Sequence, residues 1–69
     1  MDVKKKFGER VREIRKARGL SQEKLAELSG LDRTYISDVE RGERNIGLLN
    51  IIRIVDALST NPKDLFDNW

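Results

Sequence analysis

The stretch from Gln22 to Arg41 reads Gln-Glu-Lys-Leu-Ala-Glu-Leu-Ser-Gly-Leu-Asp-Arg-Thr-Tyr-Ile-Ser-Asp-Val-Glu-Arg. Ser21 precedes it as an N-cap, and Leu25, Ala26 and Leu28 mark the inward side of a short helix from Gln22 to Leu28. Ser29-Gly30-Leu31 forms a tight turn, where glycine takes the left-handed backbone that ends a helix at low cost. Asp32 then caps a helix from Arg33 to Arg41 that buries Ile36 and Val39, and Gly42 closes it. Two short helices joined so briefly must cross steeply, which constrains the side chains at the crossing. Ala26 is small where a larger group would push the helices apart. Leu31, Ile36 and Val39 fill the angle between them.

On the amino-terminal side, Val3, Phe7, Val11 and Ile14 recur at helical spacing and predict a helix over about 3–18. Beyond Asn45, the stripe Leu48, Ile51, Ile54, Val55 and Leu58 predicts another over about 47–58. Asn61 as N-cap, Pro62 at the first helical position and Asp64 three residues past the cap open a last one over 62–67. Leu65 and Phe66 are its apolar contribution. Valine, isoleucine and threonine fall at helical rather than alternating spacing, so the expected fold is all-α, a compact five-helix domain spanning 1–69.

The 69 residues allow one modest core and contain neither cysteine nor histidine. That composition excludes disulfides, thiolate zinc sites and nucleophile–histidine catalysis. The glycines are isolated at helix ends rather than grouped to cradle a phosphate. We expect no enzyme, no metal, no cofactor and no small-molecule ligand. Efficient helix packing, dimerisation or both must stabilise the fold. No apolar run spans a bilayer and the start lacks a signal peptide's apolar region, so a soluble protein without membrane association is expected. Absence of cysteine makes the cytoplasm the expected compartment.

The net charge of +2 is unevenly spread. Residues 1–20 hold eight Lys/Arg against Asp2, Glu9 and Glu13, a local +5, whereas residues 54–69 hold Lys63 against Asp56, Asp64 and Asp67, a local −2. A basic front and an acidic tail suit a polyanion on one side and another partner on the other.

The stretches Leu20-Ser21-Gln22-Glu23-Lys24-Leu25-Ala26, Gly30-Leu31, Tyr35-Ile36-Ser37 and Val39-Glu40-Arg41-Gly42 resemble the lambda-repressor/Cro-like, or XRE-type, helix-turn-helix family over about residues 7–66. Asp32-Arg33-Thr34-Tyr35-Ile36-Ser37 with Glu40-Arg41 and Arg44-Asn45 looks most like the restriction–modification controller proteins. That resemblance implies a transcription regulator acting as a homodimer on paired operator half-sites of double-stranded DNA. A phage-type repressor or an antitoxin shares the fold and stays open as an alternative, as does a module that binds only protein.

With Ile36 turned inward, a step of about 100° per residue points Thr34 and Asp38 outward, flanked by Tyr35 and Ser37. Arg33 opens the helix, and the amino-terminal end of a recognition helix enters the major groove. Arg33 is suited to guanine O6 and N7, Thr34 to a base edge or a thymine methyl, and Tyr35 to stacking or a phosphate. Asp38 either accepts from cytosine N4 or orients Arg33 or Arg41. Gln22, behind its cap Ser21, resembles the family position that anchors a phosphate. Ser21, Arg41, and Arg44 with Asn45, complete the expected backbone contacts. Glu40 faces inward, where a lone carboxylate is costly, and the resemblance pairs it with Arg15 as a structural ion pair. Leu49 and Ile52 lie off the inner stripe and, with Phe66 and Trp69, are the expected dimer interface. The acidic tail is a candidate contact for RNA polymerase or a toxin.

Overall fold

In the computed structural model, which describes residues 1–67 and Trp69, the side chains of Asp2, Ser21 and Asn61 each accept the backbone N–H three residues on, at 3.1, 3.0 and 3.2 Å. A helix starts after each cap: α1 Val3–Ala17, α2 Gln22–Ser29 and α5 Pro62–Leu65. Between them run α3 Arg33–Glu40 and α4 Leu48–Ala57. The fold is all-α with five helices among the described residues, as the apolar spacing predicts. None of these helices is long and apolar enough to cross a membrane.

α1, α3 and α4 end in the same way. After each, the residue in the left-handed region donates to the carbonyl three back, and its successor donates to the carbonyl five back. Glycine holds the left-handed place after α1 (Gly19, φ 71°) and α3 (Gly42, φ 75°), but Ser59 holds it after α4 at φ 53°. Arg18 reinforces that last turn by donating to the carbonyls of Leu58 and Ser59. Arg10 Nε donates to the Asp64 carbonyl at 2.7 Å, tying α1 to α5. The Thr60 hydroxyl donates to the Asp64 carboxylate and holds it below the ordinary carboxylate range.

Phe7, Val11, Leu25, Ala26, Ile36, Val39, Ile54, Val55, Leu58 and Leu65 form one buried cluster drawn from every helix. α1 lies against α3 and α5, and α2 against α3 and α4. α1 and α3 come close at Gly8, where a Cβ would sit 2.2 Å from the Val39 carbonyl oxygen.

Several expectations need correction. Leu28 is half exposed rather than inward. Leu25, Ala26 and Ser29 share the inner arc of α2, and Leu28 lies about 100° from its centre. Leu48 is 77% exposed and Val3 56%, because each opens its helix beyond the end of the core. Asp32 occupies the N-cap place of α3 without a side-chain bond, and its carbonyl accepts the Ile36 N–H at 3.1 Å instead. α2 runs one residue further than expected, to Ser29, whereas α1, α3 and α4 stop one residue earlier than expected and α5 two, at Leu65. Residues entering a C-terminal turn are half in the helix by geometry, so such ends shift easily.

Candidate nucleic-acid interface

α3 is fixed from its inner side, where Ile36 and Val39 are buried and Glu40 is nearly so. Glu40 Oε2 accepts from Arg15 Nε at 2.6 Å, and its Oε1 accepts from Arg15 Nη2 at 3.0 Å and Gln22 Nε2 at 3.1 Å. Arg15 Nη1 also donates to the Leu20 carbonyl at 2.8 Å. The carboxylate thus joins α1, the start of α2 and the end of α3, and its burial is compensated by donors on both oxygens. Among the described residues, no buried side-chain nitrogen or oxygen lacks a partner.

The opposite side of α3 is open at its amino-terminal end. Arg33 and Thr34 are exposed, and Arg33 makes only a loose 4.0 Å approach to Glu23. Tyr35 is half buried. Its ring packs against the core, Arg44 lies over it with the guanidinium carbon 5.0 Å from the centroid, and its hydroxyl accepts from Asn50 Nδ2 at 3.2 Å.

Toward the carboxyl end, Ser37 Oγ accepts from Arg41 Nη1. Asp38 turns back along the helix: one oxygen takes Arg41 Nη2 and the other takes Arg44 Nε at 3.3 Å. Of the two orienting roles open to Asp38 in the sequence, Arg41 is met; its second partner is Arg44, not Arg33. Glu43 donates no proton but adds its carboxylate beside Arg41, and with Asp38 it raises that guanidinium's pKa further above its ordinary value. Arg41, Arg44 and Asn45 are all exposed and stand at the same end of α3. Ser21 is committed to capping α2, and Gln22, half buried behind it, is committed in this state to Glu40.

Two of these features carry no sequence signal of their own. The Gln22 contact with Glu40 requires knowing that α2 begins beside the end of α3. Asn50 lies between apolar residues of α4 and reads as an interruption of the stripe until Tyr35 is seen to meet it. Away from α3, Leu49 is 63% exposed, Ile52 39% and Phe66 44%, and the still more open Leu48 precedes Leu49. Phe66 lies between Phe7 and Trp69, with ring centroids 5.5 and 5.3 Å away, and Trp69 is partly buried against the core.

A helix-turn-helix family model matches residues 11–65. The control protein C.BamHI of Bacillus amyloliquefaciens is 56% identical over 62 residues, which cover 88% of this chain and 76% of that one. C.SmaI of Serratia marcescens is 53% identical over 64 residues, covering 91% and 76%. The crystal structure of the restriction–modification controller protein C.AhdI from Aeromonas hydrophila superimposes with a TM-score of 0.89 at 57% identity, over 91% of this chain and 96% of that one. With α2 packed against α3, Ala26 buried and Arg33 and Thr34 exposed, the chain belongs to the helix-turn-helix family and, within it, to the restriction–modification controller proteins.

Proposed function

We propose that this regulator, a sequence-specific DNA-binding protein, grips an operator duplex as a homodimer and controls genes of a restriction–modification system. The observation that carries the reading is the two-sidedness of α3: Ile36, Val39 and Glu40 hold it from within, while Arg33 and Thr34 project freely from its first turn. A rod held in that way enters a major groove end-first without disturbing the core.

In this reading Arg33, Thr34 and Tyr35 face base edges, with Ser37 beside them. Asp38 works indirectly by setting Arg41 and Arg44. Ser21 and Gln22 bring the amino-terminal end of α2 to a phosphate, where unpaired N–H groups favour an anion. Arg41, Arg44 and Asn45 clamp the backbone on the far side of α3. Phosphate contacts of this kind set register and salt dependence, and base contacts set sequence.

The exposed apolar groups Leu49, Ile52 and Phe66, with Trp69 behind them, supply the dimer face. A two-fold dimer sets its two reading helices about 34 Å apart, one turn of duplex. Of the acidic carboxyl-terminal segment, the exposed carboxylates of Asp56 and Asp67 are the surface offered to RNA polymerase. In vitro selection of bound duplexes followed by footprinting tests the whole reading: it should return two related half-sites about one helical turn apart. Salt-independent retention on heparin and no enrichment of any duplex would reduce the chain to a protein-binding module.

A further inference from the structure

Asn50 belongs to α4, outside the helices that meet DNA in the reading above, yet its side chain ends on the recognition helix. Its Nδ2 donates to the Tyr35 hydroxyl at 3.2 Å, and its Oδ1 lies 3.5 Å from Arg53 Nη1. Arginine only donates, so the amide atom facing Arg53 is the oxygen and the atom facing Tyr35 is the nitrogen. A phenol oxygen that accepts from an amide keeps its own proton to give elsewhere. The ring is held while this happens, by the core on one side and by Arg44 over its face.

We infer that Asn50 is a positioning residue that presents Tyr35 to the duplex as a hydrogen-bond donor, so that the hydroxyl seeks an acceptor there and disfavours an amino group. The acceptor is a phosphate oxygen or a base atom such as guanine O6 or thymine O4. The inference rests on the proposal that the outer side of α3 faces DNA, and it adds that α4, the helix carrying Leu49 and Ile52, takes part in reading. Asn50 thereby links the apolar face of α4 to α3 through one side chain.

The test uses the full chain, the duplex recovered by selection with the unaltered protein, and a scrambled duplex of equal length. Tyr35→Phe should weaken binding to the selected duplex roughly three- to tenfold, the scale of one ordinary hydrogen bond, and weaken the scrambled duplex by a similar factor only where the acceptor is a phosphate. Asn50→Ala should lose a comparable factor, but nothing further in the Tyr35→Phe background. Asn50→Asp keeps the size of the side chain and takes the phenol proton for itself. Its loss should therefore be larger with Tyr35 present than with Phe at that position, any general repulsion of DNA being common to both.

The chain has one tyrosine, so a tyrosine labelled with carbon-13 at Cζ gives a single resonance. Removal of the Asn50 amide should move it in the free protein. A base-edge acceptor shows as altered preference at one base pair, a phosphate acceptor as a loss shared by all selected variants. If Tyr35→Phe binds as well as the unaltered protein, the donor role given to the Tyr35 hydroxyl is wrong. If Tyr35→Phe weakens binding but Asn50→Ala costs the same in both backgrounds, or leaves the Cζ resonance in place, the role given to Asn50 is wrong and the DNA reading survives.

Discussion

Arg15 and Glu40 meet edge to edge, with Nε to Oε2 at 2.6 Å and Nη2 to Oε1 at 3.0 Å, although 25 residues separate them in sequence. Their side chains are 9% and 4% exposed. At that burial the ions have lost most of their hydration, and the parallel pair of hydrogen bonds offsets the loss only while both partners are present. The contact also fixes the roll of α3 about its own axis, because Glu40 is the last residue of the helix whose first turn carries Arg33 and Thr34.

Arg15→Ala removes one partner and leaves Glu40 with the Gln22 amide alone. Breaking a buried pair in this way costs about 3 kcal/mol or more. In a domain of this size that lowers Tm by upwards of about 10 °C. Equilibrium urea unfolding measures it, and an unchanged midpoint would remove the pair from the list of stabilising contacts.

Gly8→Ala sets two effects against each other. Alanine in a helix interior is favoured over glycine by about 1 kcal/mol. Against this, the added methyl carbon would stand 2.2 Å from the Val39 carbonyl oxygen and 2.9 Å from that of Glu40, and both are backbone atoms of α3. Helix backbones do not yield as side-chain tips do, so the clash prevails and the expected net loss is roughly 2 kcal/mol or more. A rise in Tm would mean that α1 and α3 are further apart than described.

Ser59→Gly should act in the opposite direction. Ser59 holds φ 53° in the same terminal hydrogen-bond arrangement that glycine serves after α1 and α3. A Cβ in the left-handed region costs about 1–2 kcal/mol, part of which glycine returns through its greater freedom in the unfolded chain. We expect a gain of about 0.5–1 kcal/mol in thermal or denaturant unfolding, with DNA binding unaltered. A loss of stability would show that the serine side chain contributes a contact that outweighs its strain.

The apolar spacing and the caps at Ser21 and Asn61 were sufficient to find all five helices, because both signals are local. The inner side of α3 was equally readable, since Ile36, Val39 and Glu40 fall on one face whatever surrounds them. What escaped depends on where helices end in space. Val3 and Leu48 match the apolar pattern yet lie beyond the core, and nothing in the sequence states how far the core extends. Gly8 looks like a weak point in α1 until the carbonyls of α3 are placed against it. The partners of Asp38 turned out to be Arg41 and Arg44, because Arg44 follows a tight turn whose direction is set by Gly42.

Arg33→Ala and Gln22→Ala should separate reading from anchoring. Arg33 is exposed and, apart from its loose approach to Glu23, free to reach a base edge, so its loss should relax preference at one base pair by about 1–3 kcal/mol. Gln22→Ala should weaken every duplex by a similar factor. Because Gln22 also donates to Glu40 at 3.1 Å, its effect on binding has to be measured well below the Tm of the variant. If both substitutions flatten the same base preference, the assignment of Gln22 to the backbone fails.

Leu49→Glu tests whether the apolar side of α4 is an interface. Leu49 is 63% exposed, so a charge there disturbs little in the folded protomer, and Tm extrapolated to low concentration should be nearly unchanged. Within a two-fold interface, by contrast, the substitution places two carboxylates near one another and removes two apolar groups, costing several kcal/mol of association. Light scattering should then report a monomer at concentrations where the unaltered chain is a dimer. Operator binding should weaken by far more than any loss at a single half-site, since each protomer would have to bind alone. A Leu49→Glu variant that remains dimeric would move the interface elsewhere, and Ile52→Glu would decide whether it lies on α4 at all.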